Sequence, residues 1–177
     1  MTFTEFLEVF LTAAAPISEL RGAIPLAIAV LDISWPLAFL VAYLGNLFPV
    51  PFILLLLDPL SRLLSRIHIF ERILNWIFSI SRRRGGIIER YGAIGLVLFV
   101  AIPLPITGAW TGSIVAFLLG MKFRYAFPAI MLGVFIAGVI VTTLTLLGWA
   151  GATIAGIALM ALAIIGLRNT WRSSRND

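Results

Sequence analysis

The sequence predicts an all-α, polytopic integral membrane fold, with two re-entrant helical hairpins set as an inverted repeat. Three observations predict it. The 177 residues are 61% hydrophobic and 12% charged, too apolar for a soluble domain of this size. Two apolar stretches are each interrupted in mid-course by prolines and polar residues. Of the 13 Lys and Arg residues, all except Arg21 lie where they can face one side of a bilayer.

The first stretch, Phe3 to Ala14, would reach roughly 18 Å as a helix, short of a hydrocarbon core of about 30 Å. Pro16 interrupts it. Ser18-Glu19-Leu20-Arg21-Gly22 is polar, and Ala23 to Leu31 is apolar and again short. Asp32-Ile33-Ser34 closes the unit. Trp35 to Leu57 is long enough to span, with Trp35 suited to the interface and Pro36 to a first helical turn. Asp58-Pro59 reads as its end. From Leu60 to Ile80, apolar residues at helical spacing oppose Arg62, Arg66, Glu71 and Arg72, as in a cytoplasmic amphipathic helix lying in the interface. Arg82-Arg83-Arg84-Gly85-Gly86 ends it.

The pattern then recurs. Tyr91 to Ile102 is a short apolar arm, broken by Pro103 and Pro105. Thr107 to Ser113 is polar and rich in small residues, and Ile114 to Leu119 is apolar. Phe123 to Leu147 can span. Trp149 to Leu167 is an additional Gly/Ala-rich span, the third, and a basic tail follows. The predicted organisation is one membrane domain: repeat one 1–57, interfacial linker 58–90, repeat two 91–147, extra span 148–167 and tail 168–177.

Charge chooses between two topologies. If each interrupted stretch is one kinked crossing, Lys122, Arg124 and the three tail arginines fall opposite the Arg-rich 58–90 segment. If each stretch is a hairpin returning to its own side, every flanking basic residue lies inside. The N-terminus and the 32–34 turn are then outside, and the C-terminus is cytoplasmic. The expected location is the inner, cytoplasmic membrane. A hairpin plus a span makes one crossing, so the second unit is inverted relative to the first, as in many secondary transporters. At an offset of 89 residues, Phe10, Pro16, Ile17 and Ala27 match Phe99, Pro105, Ile106 and Ala116, and Ser18 matches Thr107.

Several functions are excluded or disfavoured. There is no cysteine, so disulfides, thiol redox chemistry and thiolate metal sites are ruled out. One histidine argues against a transition-metal site. No P-loop, HExxH, G-x-S-x-G or GxGxxG is present, so no enzyme and no cofactor are expected. The formal net charge of +5 reads as a topology signal with attraction to anionic lipid, not as a nucleic-acid surface. Met1 to Glu8 lacks the basic segment of a signal peptide.

The chemistry concentrates at the two interruptions. A charged pair inside an apolar run marks a functional site by default. Arg21 offers a planar donor fork suited to phosphate or carboxylate. Ser18, Thr107, Thr111 and Ser113 add hydroxyls, and the return arms point helix N-termini toward the same place. Together these form the expected substrate-binding set, with Pro16, Gly22, Pro25, Pro103, Pro105, Gly108 and Gly112 as hairpin turns. Glu19 is the expected proton-coupling residue: burial favours its neutral form, and Arg21 nearby favours its ionised form. A pair that merely holds the turn is the competing reading. Asn46 and Tyr43 on the first span either face this region or bond a neighbouring helix. Small residues over 148–166 permit a homodimer.

The motifs Ser18-Glu19-Leu20-Arg21-Gly22-Ala23-Ile24-Pro25 and Ile102 to Gly112 resemble the small multidrug export protein family, over essentially the whole chain. More distantly they are similar to the DedA (VTT-domain) superfamily. That resemblance implies two re-entrant hairpins and, from several members, movement of polyprenyl-phosphate lipid carriers. The chain departs from the DedA pattern in its second hairpin, where Ala101, Gly108 and Trp110 stand in place of arginines. The expected function is therefore a secondary transporter or lipid translocase with an anionic substrate and proton coupling. Export of cationic or hydrophobic drugs is the alternative within transport. A structural or assembly role is the alternative outside it.

Overall fold

Thr2 opens the first helix with a capping box. Its hydroxyl accepts from the Glu5 amide at 3.3 Å, and the Glu5 carboxylate accepts from the Thr2 amide at 2.7 Å. Two of the N–H groups left over at the helix start are thereby satisfied. Helix α1 runs Phe3–Ala14. Ala15 is extended, with ψ 140°, because the ring of Pro16 disfavours helical geometry in the residue before it. These features come from a computed structural model that describes residues 1–64, 92–103, 107–148, 150, 153, 156–157 and 160–161.

Helix α2, Glu19–Pro25, starts after the turn and runs back alongside α1. Pro25 has no N–H to continue the ladder, and the next turn, Leu26–Val30, widens to π geometry. Asp32 takes a left-handed conformation with φ 51° and is exposed. Helix α3, Trp35–Leu47, carries Pro36 in its first turn, where the missing N–H costs nothing. Helix α4, Pro49–Leu64, follows after Phe48, which keeps helical angles. The break there reflects Pro49 and Pro51, two residues without a backbone donor.

The second half repeats the plan. Helix α5 is Ala93–Ala101. Ile102, before Pro103, is again extended with ψ 115°. Helices α6, Ala109–Leu118, and α7, Phe123–Leu146, follow. Among the described residues the protein is all-helical.

Packing repeats as well. Helix α1 lies on α2 and α3, and α5 lies on α6 and α7. The inner arms cross over: α2 packs on α7, and α6 packs on α4. Each outer arm approaches its long helix at a glycine. A Cβ on Gly45 would stand 2.5 Å from the Phe10 carbonyl oxygen. One on Gly133 would stand 2.7 Å from the Val100 Cβ and 3.0 Å from the Val97 carbonyl oxygen. Small residues at such crossings let backbones come close, the packing used between helices in lipid. The core is built from Val9, Ala13, Ile24, Ala27, Val41, Val100, Ile130 and Val134, all buried.

Trp35–Leu56 and Phe123–Leu146, of 22 and 24 residues, are long and apolar enough to cross a membrane. At 1.5 Å per residue they reach roughly 33 and 36 Å, against a core of about 30 Å. Leu40, Leu44, Phe48, Phe52 and Leu56 are exposed along the whole first span. A continuous apolar stripe of that length suits hydrocarbon.

Two expectations change. Asp58-Pro59 does not end the span helix, which continues to Leu64. A helical proline removes one hydrogen bond and bends the chain, without stopping it when its neighbours stay helical. Gly22, Pro25 and Gly112 lie inside helices, not in turns. Gly112 is there for close packing, since a Cβ would meet Val100 Cγ2 at 2.5 Å. Pro16, Pro103 and Gly108 do lie outside helices, between the paired arms. Pro105, most of the amphipathic segment 60–80, the basic linker, most of the extra span 148–167 and the basic tail lie outside the described residues.

Candidate functional site

The two interruptions meet. Glu19 begins α2 with φ 47°, a left-handed conformation that costs a non-glycine residue about 1–2 kcal/mol. It aims a carboxylate with 5% exposure across to the second turn. Arg21 Nη2 donates to Glu19 Oε2 at 3.1 Å, and also to the Thr107 carbonyl. The Trp110 amide donates to Glu19 Oε1 at 3.4 Å, and the Ala109 amide lies near the carboxylate. The Trp110 indole Nε1 donates to the Ala14 carbonyl at 3.0 Å.

These bonds are reciprocal. The first N–H groups of α6 have no partner within the helix, and Gly108 at its cap position has no side chain to offer them. Glu19, 91 residues before Trp110 in sequence, supplies the missing acceptor and lies at the positive end of the helix dipole. The last carbonyls of α1 lack intrahelical donors in the same way, and the Trp110 indole satisfies one of them. Gly108 is what admits the carboxylate: a Cβ there would sit 1.8 Å from Glu19 Oε2 and 2.4 Å from its Cδ.

The four expected hydroxyls are arranged differently. Ser18 donates to the Thr12 carbonyl, Thr107 to Ile102, Thr111 to Gly108 and Ser113 to Ala109. Each is bound to nearby backbone, as hydroxyls in apolar helices commonly are. Ser113 is wholly buried and faces away from solvent. The structure thus brings Glu19, Arg21, Thr107 and Gly108 together. It turns the Ser18 hydroxyl back to α1 and leaves Ser113 inside α6.

A small cavity adjoins the ion pair. Its volume is about 10 Å³, room for roughly one water molecule. Glu19, Arg21, Asn46, Thr107, Val134 and Ala137 are among its walls, so both turns and both long helices contribute. Asn46 is 2% exposed, and among the described residues its Oδ1 has no hydrogen-bond partner. Tyr43, one turn earlier, points elsewhere and donates to the Met131 carbonyl at 3.3 Å. On α7, Thr143 and Thr145 bond the carbonyls four residues before them. Among the described residues no three His, Cys, Asp or Glu gather to hold a metal.

Sequence reasoning missed Trp110, whose amide and indole both join the two turns. A buried indole N–H needs an acceptor, and a tryptophan five residues after a proline in an apolar run was the available signal.

A family model described as "Putative small multi-drug export protein" matches residues 19–140. The match begins at Glu19 and takes in Arg21, Asn46, Gly108 and Trp110. No curated protein and no solved structure matches the chain.

Proposed function

This chain belongs to the small multi-drug export family, and we propose that it is a proton-coupled secondary membrane transporter with Glu19 as its coupling carboxylate. The observation that carries this reading is the place Glu19 occupies. Its carboxylate accepts from Arg21 and from the Trp110 amide in the first turn of α6, groups that would otherwise receive an anionic substrate. Glu19 is thus a resident anion. A proton on Glu19 removes its charge and weakens its hold on both partners. Arg21 and the α6 N-terminus then turn to a substrate bearing a phosphate or carboxylate head. When that head leaves, Glu19 loses its proton and returns.

The arms 3–30 and 93–118 are, in this reading, re-entrant hairpins of an inverted repeat. Support comes from the crossed packing of α2 on α7 and α6 on α4, and from the matched glycine contacts at Gly45 and Gly133. The N-terminus lies outside, and the basic segments lie on the cytoplasmic face of the inner membrane. The absence of cysteine makes the topology simple to test. Ser34→Cys is expected to react only with external maleimide, and Lys122→Cys only from inside. Reaction of both from one side would remove the hairpin arrangement.

The substrate we propose is an anionic lipid carrier of the polyprenyl-phosphate type. In proteoliposomes, translocation of a labelled polyprenyl phosphate is expected to rise as pH falls. Arg21→Ala should abolish it in a folded protein. Glu19→Gln should remove its pH dependence. Normal translocation by Arg21→Ala would end the anion assignment. The family's description favours a second reading, in which Glu19 exchanges Arg21 for a cationic drug. Drug efflux lost in Glu19→Gln, with no lipid movement in the wild type, would select it. Loss of folding in both variants, with no substrate moved, would leave a structural role.

A further inference from the structure

In its carboxylate form Glu19 is surrounded by donors: the Arg21 guanidinium and the Trp110 and Ala109 amides. Protonation reverses what it needs. A carboxylic acid carries an O–H that must find an acceptor, and none of these three groups is one. The same cavity holds an acceptor without a donor. Asn46 Oδ1 is buried and has no partner among the described residues, and a buried acceptor left without a donor is costly. The cavity between them has room for one water. Among the described residues no other titratable group faces it: Arg21 is the charged neighbour from α2, and the α3, α5, α6 and α7 residues lining it are Asn46, Val100, Ala109, Val134 and Ala137.

We infer that Asn46 is the acceptor for the proton on Glu19, reached directly or through a single water held in this cavity. The inference rests on the proton-coupled reading of Glu19. A proton arriving through water adds to a carboxylate oxygen, the bond that oxygen accepted is given up, and the new O–H points toward Asn46 Oδ1. Where the bond is direct, the Asn46 oxygen gains its donor when Glu19 is protonated. Asn46 is a positioning residue for that proton, and it makes the protonated latch a defined state.

The test is infrared spectroscopy of the full chain in lipid nanodiscs, titrated across the pH range. The carboxylic C=O stretch of Glu19 is identified by its loss in Glu19→Gln. In Asn46→Val this band should move to higher frequency, as for a carboxylic acid without a strong acceptor. Its half-protonation should fall by about one pH unit, the effect of removing one hydrogen bond from the neutral form. Asn46→Leu, whose branching at Cγ matches the shape of asparagine, serves if Asn46→Val does not fold. Asn46→Thr, which restores an oxygen, should return the band toward its original position. An unmoved band and midpoint in Asn46→Val or Asn46→Leu would overturn the role of Asn46 and leave Glu19 coupling intact. A missing Glu19 band throughout the titration would overturn both.

Discussion

Gly108→Ala is expected to lower the stability of the purified protein by about 3–5 kcal/mol, the usual consequence of breaking a buried charged pair by removing its support. The new methyl would overlap the Glu19 carboxylate, whose Oε2 lies 1.8 Å from the Cβ position. Glu19 would have to leave the α6 N-terminus. Its bonds to Arg21 and Trp110 would go with it. Thermal unfolding in detergent would register the loss. The cause can be isolated by a second substitution. In a Glu19→Ala background the clash disappears, and Gly108→Ala should then cost less than about 1 kcal/mol. Contacting sites show this kind of non-additivity. Equal costs in both backgrounds would mean that Gly108 serves something other than Glu19.

Gly45→Ala should be the second severe change, and for a different reason. Its methyl would meet backbone: the Phe10 carbonyl oxygen at 2.5 Å and the Phe10 Cα at 3.1 Å. A side chain can rotate away from such a contact, but a helix must shift as a whole. Overpacking of this type costs about 1–3 kcal/mol, and more where the neighbour cannot move. The expected result is separation of α1 from α3, with loss of the monodisperse folded protein on size exclusion. Gly95→Ala is the control. It lies on α5 with nothing among the described residues within 4 Å of its Cβ position, and it should be close to neutral.

The helices, two of them long enough to span, were legible because prolines and apolar runs punctuate the sequence. A stretch ended by Pro16 or Pro103 stops where the residue before the proline is forced to extend, at Ala15 and Ile102. Glu19 and Arg21 stood out because ionised groups are rare in apolar runs. Their partners did not stand out. Beyond their pairing with each other, Arg21 donates to a backbone carbonyl and Glu19 accepts from a backbone amide of α6. Main-chain groups leave no mark in a sequence. Gly108 was read as a turn, but its importance lies in the volume it leaves empty. The sequence places Gly22 and Gly112 at the hairpin turns, whereas in this fold both lie within helices; the four-residue spacing of Gly108 and Gly112 also permits the close packing seen at Gly112. The hydroxyls were the least legible feature: Ser18, Thr107, Thr111 and Ser113 bond carbonyls three to six residues away, a local choice that competes with any distant ligand.

The central claim is that Glu19 holds the two turns together as a carboxylate and releases them when protonated. Because the chain has no cysteine, Ile17→Cys and Ile102→Cys can be labelled cleanly, and both positions are exposed, at 92% and 48%. The distance between spin labels there reports directly on the contact between the turns. In the wild-type background, one short distance at high pH should give way to a longer, broader one as pH falls. The Glu19→Gln background should show the longer distance at every pH. A distribution that is the same at all pH values, and the same in Glu19→Gln, would contradict the account.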